Sequence, residues 1–164
     1  MMAKSSELKM PEPEQEFHRK VAAECFNRTW DYLEKKNRSP EDDQIMLTLA
    51  HASRYHWNVI GKPLNFAIGD WQISRAYSAL NQPDLAIHFA KTSLQMCRKN
   101  NLSGWLLASA YEGMARAYIA AKDYRLAREY VDKASLQLRS EVVDEEDLKT
   151  VSDQIDETER MLPK

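Results

Sequence analysis

Apolar residues recur every three to four positions through most of this chain, the spacing that places them on one face of an α-helix. The first such segment, about residues 14–36, carries an apolar stripe from Phe17 to Leu33 opposite a charged face. Gly and Pro number only four and six, and they lie mostly between the periodic segments. The pattern predicts a series of α-helices joined by short turns.

Capping residues predict where these helices begin and end. Ser39-Pro40 followed by acidic residues indicates a helix start, because Ser caps free N–H groups and Pro suits the first helical position. Residues 61–63, Gly-Lys-Pro, indicate the end of that helix. Later helices are predicted to start at or just after Pro83, Ser103 and Asp123. We therefore predict helix hairpins at about residues 14–60, 65–99 and 103–139.

The two ends of the chain differ from this central part. Residues 1–12 are mostly polar and are predicted to form a flexible N-terminal segment. Residues 141–164 begin with an acidic linker that includes Asp144 to Asp147. A narrow apolar stripe follows at Leu148, Val151, Ile155 and Leu162. We predict that this last segment is a capping helix of the same domain as residues 13–140.

One hairpin is duplicated within the chain. The segment Ala76–Ala86 aligns without a gap with Ala117–Ala127, at an offset of 41 residues (117 − 76). The same register pairs Ile73 with Met114 and Phe89 with Tyr130. A fixed offset over a whole hairpin is the signature of a repeat protein.

The second copy resembles the tetratricopeptide repeat in its sequence of large, small and aromatic positions, which are Tyr111, Met114, Ala115, Tyr118, Ala127 and Ala134. The first copy departs from the family pattern at Asp70, where an aromatic residue is usual. Asn81 and Lys122 stand where the family has a turn Gly. The resemblance covers about residues 65–139. It implies an all-α fold of antiparallel helix hairpins stacked as a short right-handed superhelix, with a concave groove that holds segments of other proteins.

Charge and composition narrow the range of partners. Lys and Arg number 23 and Asp and Glu 25, so a net charge of −2 gives no field that would gather nucleic acid. No apolar run approaches the roughly 20 residues of a bilayer span, and no secretory signal pattern is visible. We therefore expect no nucleic acid, no membrane and a cytoplasmic location. Cys25 and Cys97 are isolated and are expected to pack as reduced thiols.

Two arginines, Arg75 and Arg116, occupy equivalent positions in the two copies. In the family that the chain resembles, this position faces the groove, with Trp71 and Glu112 nearby. In one interpretation the guanidinium groups clamp a carboxylate or an acidic peptide, and Trp71 is an apolar anchor. In the other, the arginines pair with Glu112 or cover apolar surface with their stems.

A group of polar-tipped rings, His51, Tyr55, His56 and Trp57, lies on the second predicted helix. Such rings line ligand pockets in some proteins and pack structurally in more of them. His51 and His56 are five residues apart, so they do not share a face as a helical pair of metal ligands would. We predict no metal and no cofactor.

No phosphate-binding loop, nucleophile elbow or paired-cysteine motif is present in the sequence. The leading prediction is a non-catalytic module that binds a peptide or protein segment in a concave helical groove. One alternative is a homodimeric assembly protein. Another is a small-ligand sensor or enzyme with a pocket around His51, Tyr55, His56 and Trp71.

Overall fold

The structure is a computed structural model that describes residues 10–141 and 144–164. These residues form seven α-helices and no β-strand. The helices are α1 (Glu12–Leu33), α2 (Pro40–Ile60), α3 (Pro63–Ala79), α4 (Pro83–Lys99), α5 (Gly104–Ala120), α6 (Tyr124–Ser140) and α7 (Glu145–Arg160). The all-α prediction is confirmed. Residues 1–9 of the predicted flexible segment, and residues 142 and 143 of the predicted acidic linker, lie outside the described residues.

The helix boundaries follow from local chemistry. Ser39 accepts a hydrogen bond from the Asp42 backbone N–H, and the Asp42 carboxylate accepts one from the Ser39 backbone N–H, which together form a capping box. Asp123 caps α6 by accepting from the Leu126 N–H. Pro63 occupies the first position of α3, where its missing N–H costs nothing, so α3 starts two residues before the predicted residue 65.

Consecutive helices pack as the hairpins α1–α2, α3–α4 and α5–α6, and α7 follows alone. The first helix of each hairpin also contacts the first helix of the next, so that α1, α3, α5 and α7 form a row. Small residues such as Ala86, Ala110, Ala117 and Ala127 are at most 1% exposed between these helices. Their size lets neighbouring helices approach closely. The predicted stack of helix hairpins is therefore confirmed.

The duplicated positions have matching geometry. Tyr77 stacks on Phe89 with ring centroids 5.7 Å apart and planes at 15°. Tyr118 stacks on Tyr130, the equivalent pair 41 residues later, at the same 5.7 Å and 15°. Tyr77 and Tyr118 are partly buried against the core. The repeat register predicted from the sequence therefore relates structurally equivalent residues.

The turns within the two duplicated hairpins are also equivalent. Asn81 (φ 55°) and Lys122 (φ 61°) both adopt the left-handed conformation that usually favours glycine. In each turn the backbone N–H one residue later, at Gln82 or Asp123, donates to the carbonyl of the stacked tyrosine, Tyr77 or Tyr118. The sequence departs from the usual turn Gly, but the backbone keeps the conformation that Gly would supply.

Helix α7 closes the end of the row. It packs on α5 and α6 through Val151 and Ile155, which are 3% and 4% exposed, and Leu162 just after the helix is 9% exposed in the same core. Thr158 is fully buried on the same face, whereas Leu148 is 40% exposed. No helix of the described residues is long and apolar enough to cross a membrane.

Candidate functional site

The row of first helices forms a concave surface, which we call the central groove. Its floor is α3 and α5, and its walls are α1 and α7, because residues from all four helices line the same cavity of about 450 Å³ although α1 and α7 do not pack on each other. The cavity is mainly apolar. Its large apolar residues are Phe26, Trp30, Ile68, Trp71, Trp105 and Leu106.

A second hollow of about 610 Å³ continues the groove toward the carboxyl ends of α3 and α5. It is lined by Arg75, Ser78 and Asn81 on the α3 side and by Arg116 on the α5 side. Trp30 lines both hollows. The groove therefore has an apolar half and a charged half, which meet near the positions predicted to form a clamp.

A buried carboxylate, Glu112, lies between the two halves and is 1% exposed. Trp71 Nε1 donates to its Oε2 at 2.9 Å, and Arg116 Nε donates to its Oε1 at 2.8 Å. Thr158 Oγ1 donates to Oε1 at 2.6 Å, and Arg75 Nη1 reaches the same oxygen at 3.4 Å. One carboxylate therefore joins α3, α5 and α7 through four donors.

A second carboxylate, Glu157 of α7, completes this ion network. Its Oε2 accepts from Arg75 Nη2 at 2.7 Å and from Arg116 Nη2 at 3.1 Å. Arg116 Nη2 also donates to Thr158 Oγ1 at 2.8 Å. The arginine side chains are only 10% and 8% exposed, whereas that of Glu157 is 50% exposed. The two positive and two negative charges leave the network neutral.

Two opposing effects act on the pKa of Glu112. Burial raises the pKa of the carboxyl, but Arg116, Arg75 and the bonds from Thr158 and Trp71 outweigh it and hold the pKa below its ordinary value of 4.5. Burial lowers the pKa of Arg75, and its proximity to Glu112 opposes that effect. Glu112 is therefore ionised and compensated at neutral pH.

The structure brings Trp71, Arg75, Glu112 and Arg116 together, although 41 residues separate Trp71 from Glu112. Of the two interpretations from sequence, the geometry is that of the second, in which both arginines pair with Glu112. Glu157, which the sequence analysis did not single out, takes the place that a ligand carboxylate would take in the clamp. Thr158 was not singled out either. The apolar stripe of α7 does not show which of its polar residues face α5, so neither residue could be identified from the sequence.

Gly113 is a further site residue that the sequence analysis missed. A Cβ at Gly113 would lie 2.8 Å from Trp71 Cδ1 and 3.4 Å from its Nε1. The Trp71 indole therefore lies directly on the α5 backbone, where it reaches Glu112. A glycine in the middle of a helix costs stability relative to alanine, which was the available signal that something packs there.

The rings of α2 lie elsewhere. His51 Nε2 is 3.1 Å from the Tyr77 hydroxyl. His56 Nδ1 is 2.8 Å from His18 Nδ1 of α1, and Tyr55 is 63% exposed. His51, Tyr55 and His56 are not among the residues that line the cavity beside Trp71. The cavity beside Trp71 is therefore not the pocket predicted around His51, Tyr55 and His56. His51 faces α3 and His56 faces α1, so the two rings point toward different neighbouring helices.

Asp70, the position that departs from the repeat pattern, is 3% exposed beside this group. Arg54 Nε donates to its Oδ1 at 2.8 Å, while Oδ2 is buried without a hydrogen-bond partner in the described structure. Burial raises the pKa of this carboxyl, and Arg54 opposes the effect. Burial also lowers the pKa of His51, against the influence of Asp70.

Metal binding has no visible site in residues 10–141 and 144–164, where no cluster of three or more His, Cys, Asp or Glu side chains is placed to hold an ion. Comparisons with protein-family models, with curated proteins and with solved structures give no match to this chain. Function therefore has to be inferred from the central groove itself.

Proposed function

We propose that the protein is a non-catalytic interaction module of the tetratricopeptide type, whose central groove binds a segment of another protein. The observation that carries the proposal is the apolar cavity of about 450 Å³, lined by Trp30, Trp71 and Trp105. Burial of one bulky side chain in such a cavity provides the anchor that dominates most protein interfaces. The matching repeat geometry of the two hairpins and their left-handed turns support the family assignment.

The length of the groove suits a short segment of chain. The lining residues on α3 run from Ala67 to Ala79, which are separated by twelve helical rises of 1.5 Å, or about 18 Å. An extended strand rises about 3.3 Å per residue, so the groove accommodates roughly five residues. The Trp71–Glu112 bond and the ion network hold the floor rigid, which lowers the entropic cost of binding.

The test is to block the cavity without disturbing the core. Thr150 is exposed on α7 and lines the cavity, whereas Ser152 of the same helix does not. Peptides are first selected from a random-sequence phage library on the wild-type protein. Thr150→Phe should then weaken their binding about tenfold or more, since a ring fills the anchor position, while Ser152→Phe should leave it unchanged. Intrinsic tryptophan fluorescence reports binding, because three of the four tryptophans line the cavity.

If no selected peptide loses affinity in Thr150→Phe, or if both variants lose it equally, the groove is not the binding site and the proposal is wrong. Circular dichroism of both variants shows whether either change disturbs the fold. Self-association of the chain and a cytoplasmic location remain predictions from the sequence. Light scattering of the purified protein tests the first of them.

A small apolar ligand is a second candidate, and the volume of the cavity favours it. Ligand pockets commonly enclose about 300–1,000 Å³ and are lined mainly by apolar and aromatic side chains. In that case aromatic compounds rather than peptides should raise the unfolding temperature of the wild type. The same compounds should have no effect on Thr150→Phe.

A further inference from the structure

The charges around the cavity are unbalanced. Arg75 and Arg116 at the floor are already compensated by Glu112 and Glu157. Glu34, which directly follows α1, and Asp147 of α7 also line the cavity, from opposite walls. Neither forms an ion pair with any residue that the structure describes, and no Lys or Arg lines this hollow. The rim of the apolar half therefore carries two carboxylates without an ion pair, of which Glu34 also borders the hollow lined by Arg75 and Arg116.

The acidic residues of α7 add to the negative charge around the cavity. Residues 144–164 contain eight acidic side chains and three basic ones, a net charge of −5 within a chain whose total is −2. One of the three, Lys149, is paired with Asp153 on the exposed side of the helix. Part of this acidity serves the start of α7, where Asp144 caps the helix. The net negative charge of α7 repels an acidic segment from the groove and attracts a basic one.

Two of the tryptophans that line the cavity already contact a cation. The Arg75 guanidinium carbon lies 5.0 Å from the centroid of the Trp30 ring and 5.8 Å from that of Trp71. Indole faces attract cations, most strongly where water is excluded. In the described structure no cationic side chain lies over Trp105, the third tryptophan of the cavity. A ligand cation therefore has an unoccupied indole in the same cavity as Asp147, which forms no ion pair in the described structure.

We propose that the partner segment carries a bulky apolar side chain next to a lysine or arginine. The apolar side chain fills the tryptophan-lined cavity, and the cation lies at its rim, attracted by Glu34 and Asp147. This inference rests on the proposed function, because it names the chemistry of the segment that the groove binds. A clamp built from Arg75 and Arg116 would instead bind an acidic segment, so the two hypotheses predict partner segments of opposite charge.

The test is the same phage selection, carried out on the wild type and on two charge-reversed variants. Glu34→Lys/Asp147→Lys reverses the rim. Glu24→Lys/Asp156→Lys is the matched control, since it makes the same change of net charge on α1 and α7, at exposed residues that do not line the groove. Wild type and control should both enrich Lys or Arg beside an aromatic or large aliphatic residue. The rim variant should lose this preference or select acids instead.

A selected peptide is then synthesised with its basic residue and with Gln in its place. The Gln peptide should bind the wild type roughly two- to thirtyfold more weakly, because two exposed charge pairs are lost at about 0.2–1 kcal/mol each. The difference should shrink in high salt. Selection of acidic or charge-neutral peptides that Thr150→Phe still weakens overturns this inference and leaves the proposed function standing. Selection of no groove-dependent peptide overturns both.

Discussion

Replacing Glu112 with Gln should destabilise the protein more than any single change at the surface of the groove. The substitution keeps the shape of the side chain but removes the charge that compensates Arg75 and Arg116, whose side chains are 10% and 8% exposed. The amide also replaces one acceptor oxygen with a donor. That donor must face N–H or O–H groups that now point at the carboxylate, from Trp71, Thr158 and the arginines.

The magnitude follows from these two losses. Removing one partner of a buried ion pair costs about 3–5 kcal/mol, and an unsatisfied buried donor costs about 1–3 kcal/mol on its own. Glu157 stays in place and compensates part of the arginine charge, so we expect a total of about 3 kcal/mol. Since a domain is typically stable by about 5–15 kcal/mol, the variant should fold but be much less stable.

Urea unfolding at neutral pH, followed by circular dichroism, measures the loss. With a denaturant slope of about 2 kcal/mol/M, the midpoint should fall by about 1.5 M at an unchanged slope. Glu157→Gln is the control, because it removes a carboxylate from the same two arginines at a half-exposed position, where we expect a loss of about 1 kcal/mol or less. Equal losses in the two variants, or a loss below about 1 kcal/mol in Glu112→Gln, would contradict the assigned role of Glu112.

Two further predictions concern acid and the turns. Because the pKa of Glu112 is held below its ordinary value of 4.5, its contribution is present above that pH and lost as the pH falls through the lowered pKa. The stability gap between wild type and Glu112→Gln should therefore narrow in urea titrations below about pH 4.5, and a constant gap would argue against the lowered pKa. Lys122→Gly should raise the free energy of unfolding by about 0.5–1 kcal/mol, because Lys is strained at positive φ. Asn81→Gly should gain less, because Asn tolerates this conformation, and thermal unfolding that shows the opposite order would refute the account.

The repeat made much of the fold predictable from the sequence. A constant offset relates both the stacked rings and the left-handed turns, so one hairpin predicts the other. The same register placed Arg75 and Arg116 at equivalent points and led to Trp71 and Glu112 beside them. The repeat register could not predict which residues of α7 join the ion network, because α7 has no counterpart in the duplicated hairpins. Its apolar spacing predicts a buried stripe, but not that Glu157 and Thr158 meet the arginines, because that depends on how far α7 slides along α5.

The group of rings on α2 shows where residue type alone misleads. Polar-tipped rings close together in sequence suggested one pocket, but a helix turns about 100° per residue and distributes them over several faces. His51 therefore meets Tyr77 of α3, and His56 meets His18 of α1. The apolar cavity is instead formed by Trp30, Trp71 and Trp105, which lie on three different helices. No local pattern in the sequence connects these three residues.

The ion network links the stability of the fold to the shape of the groove. A buried ion pair is weak evidence for stability by itself, since well-packed apolar residues often serve as well. Here, however, Arg116 and Thr158 join α5 to α7, and α7 is a wall of the cavity. On the α7 side, Thr158 donates to Glu112 and Glu157 accepts from Arg116, and these two bonds together require one position of α7 along α5. The network therefore sets the distance between the groove walls, and with it the position of Asp147 relative to Glu34. In this arrangement the arginines act on a bound segment through the wall that they hold, rather than by contacting it.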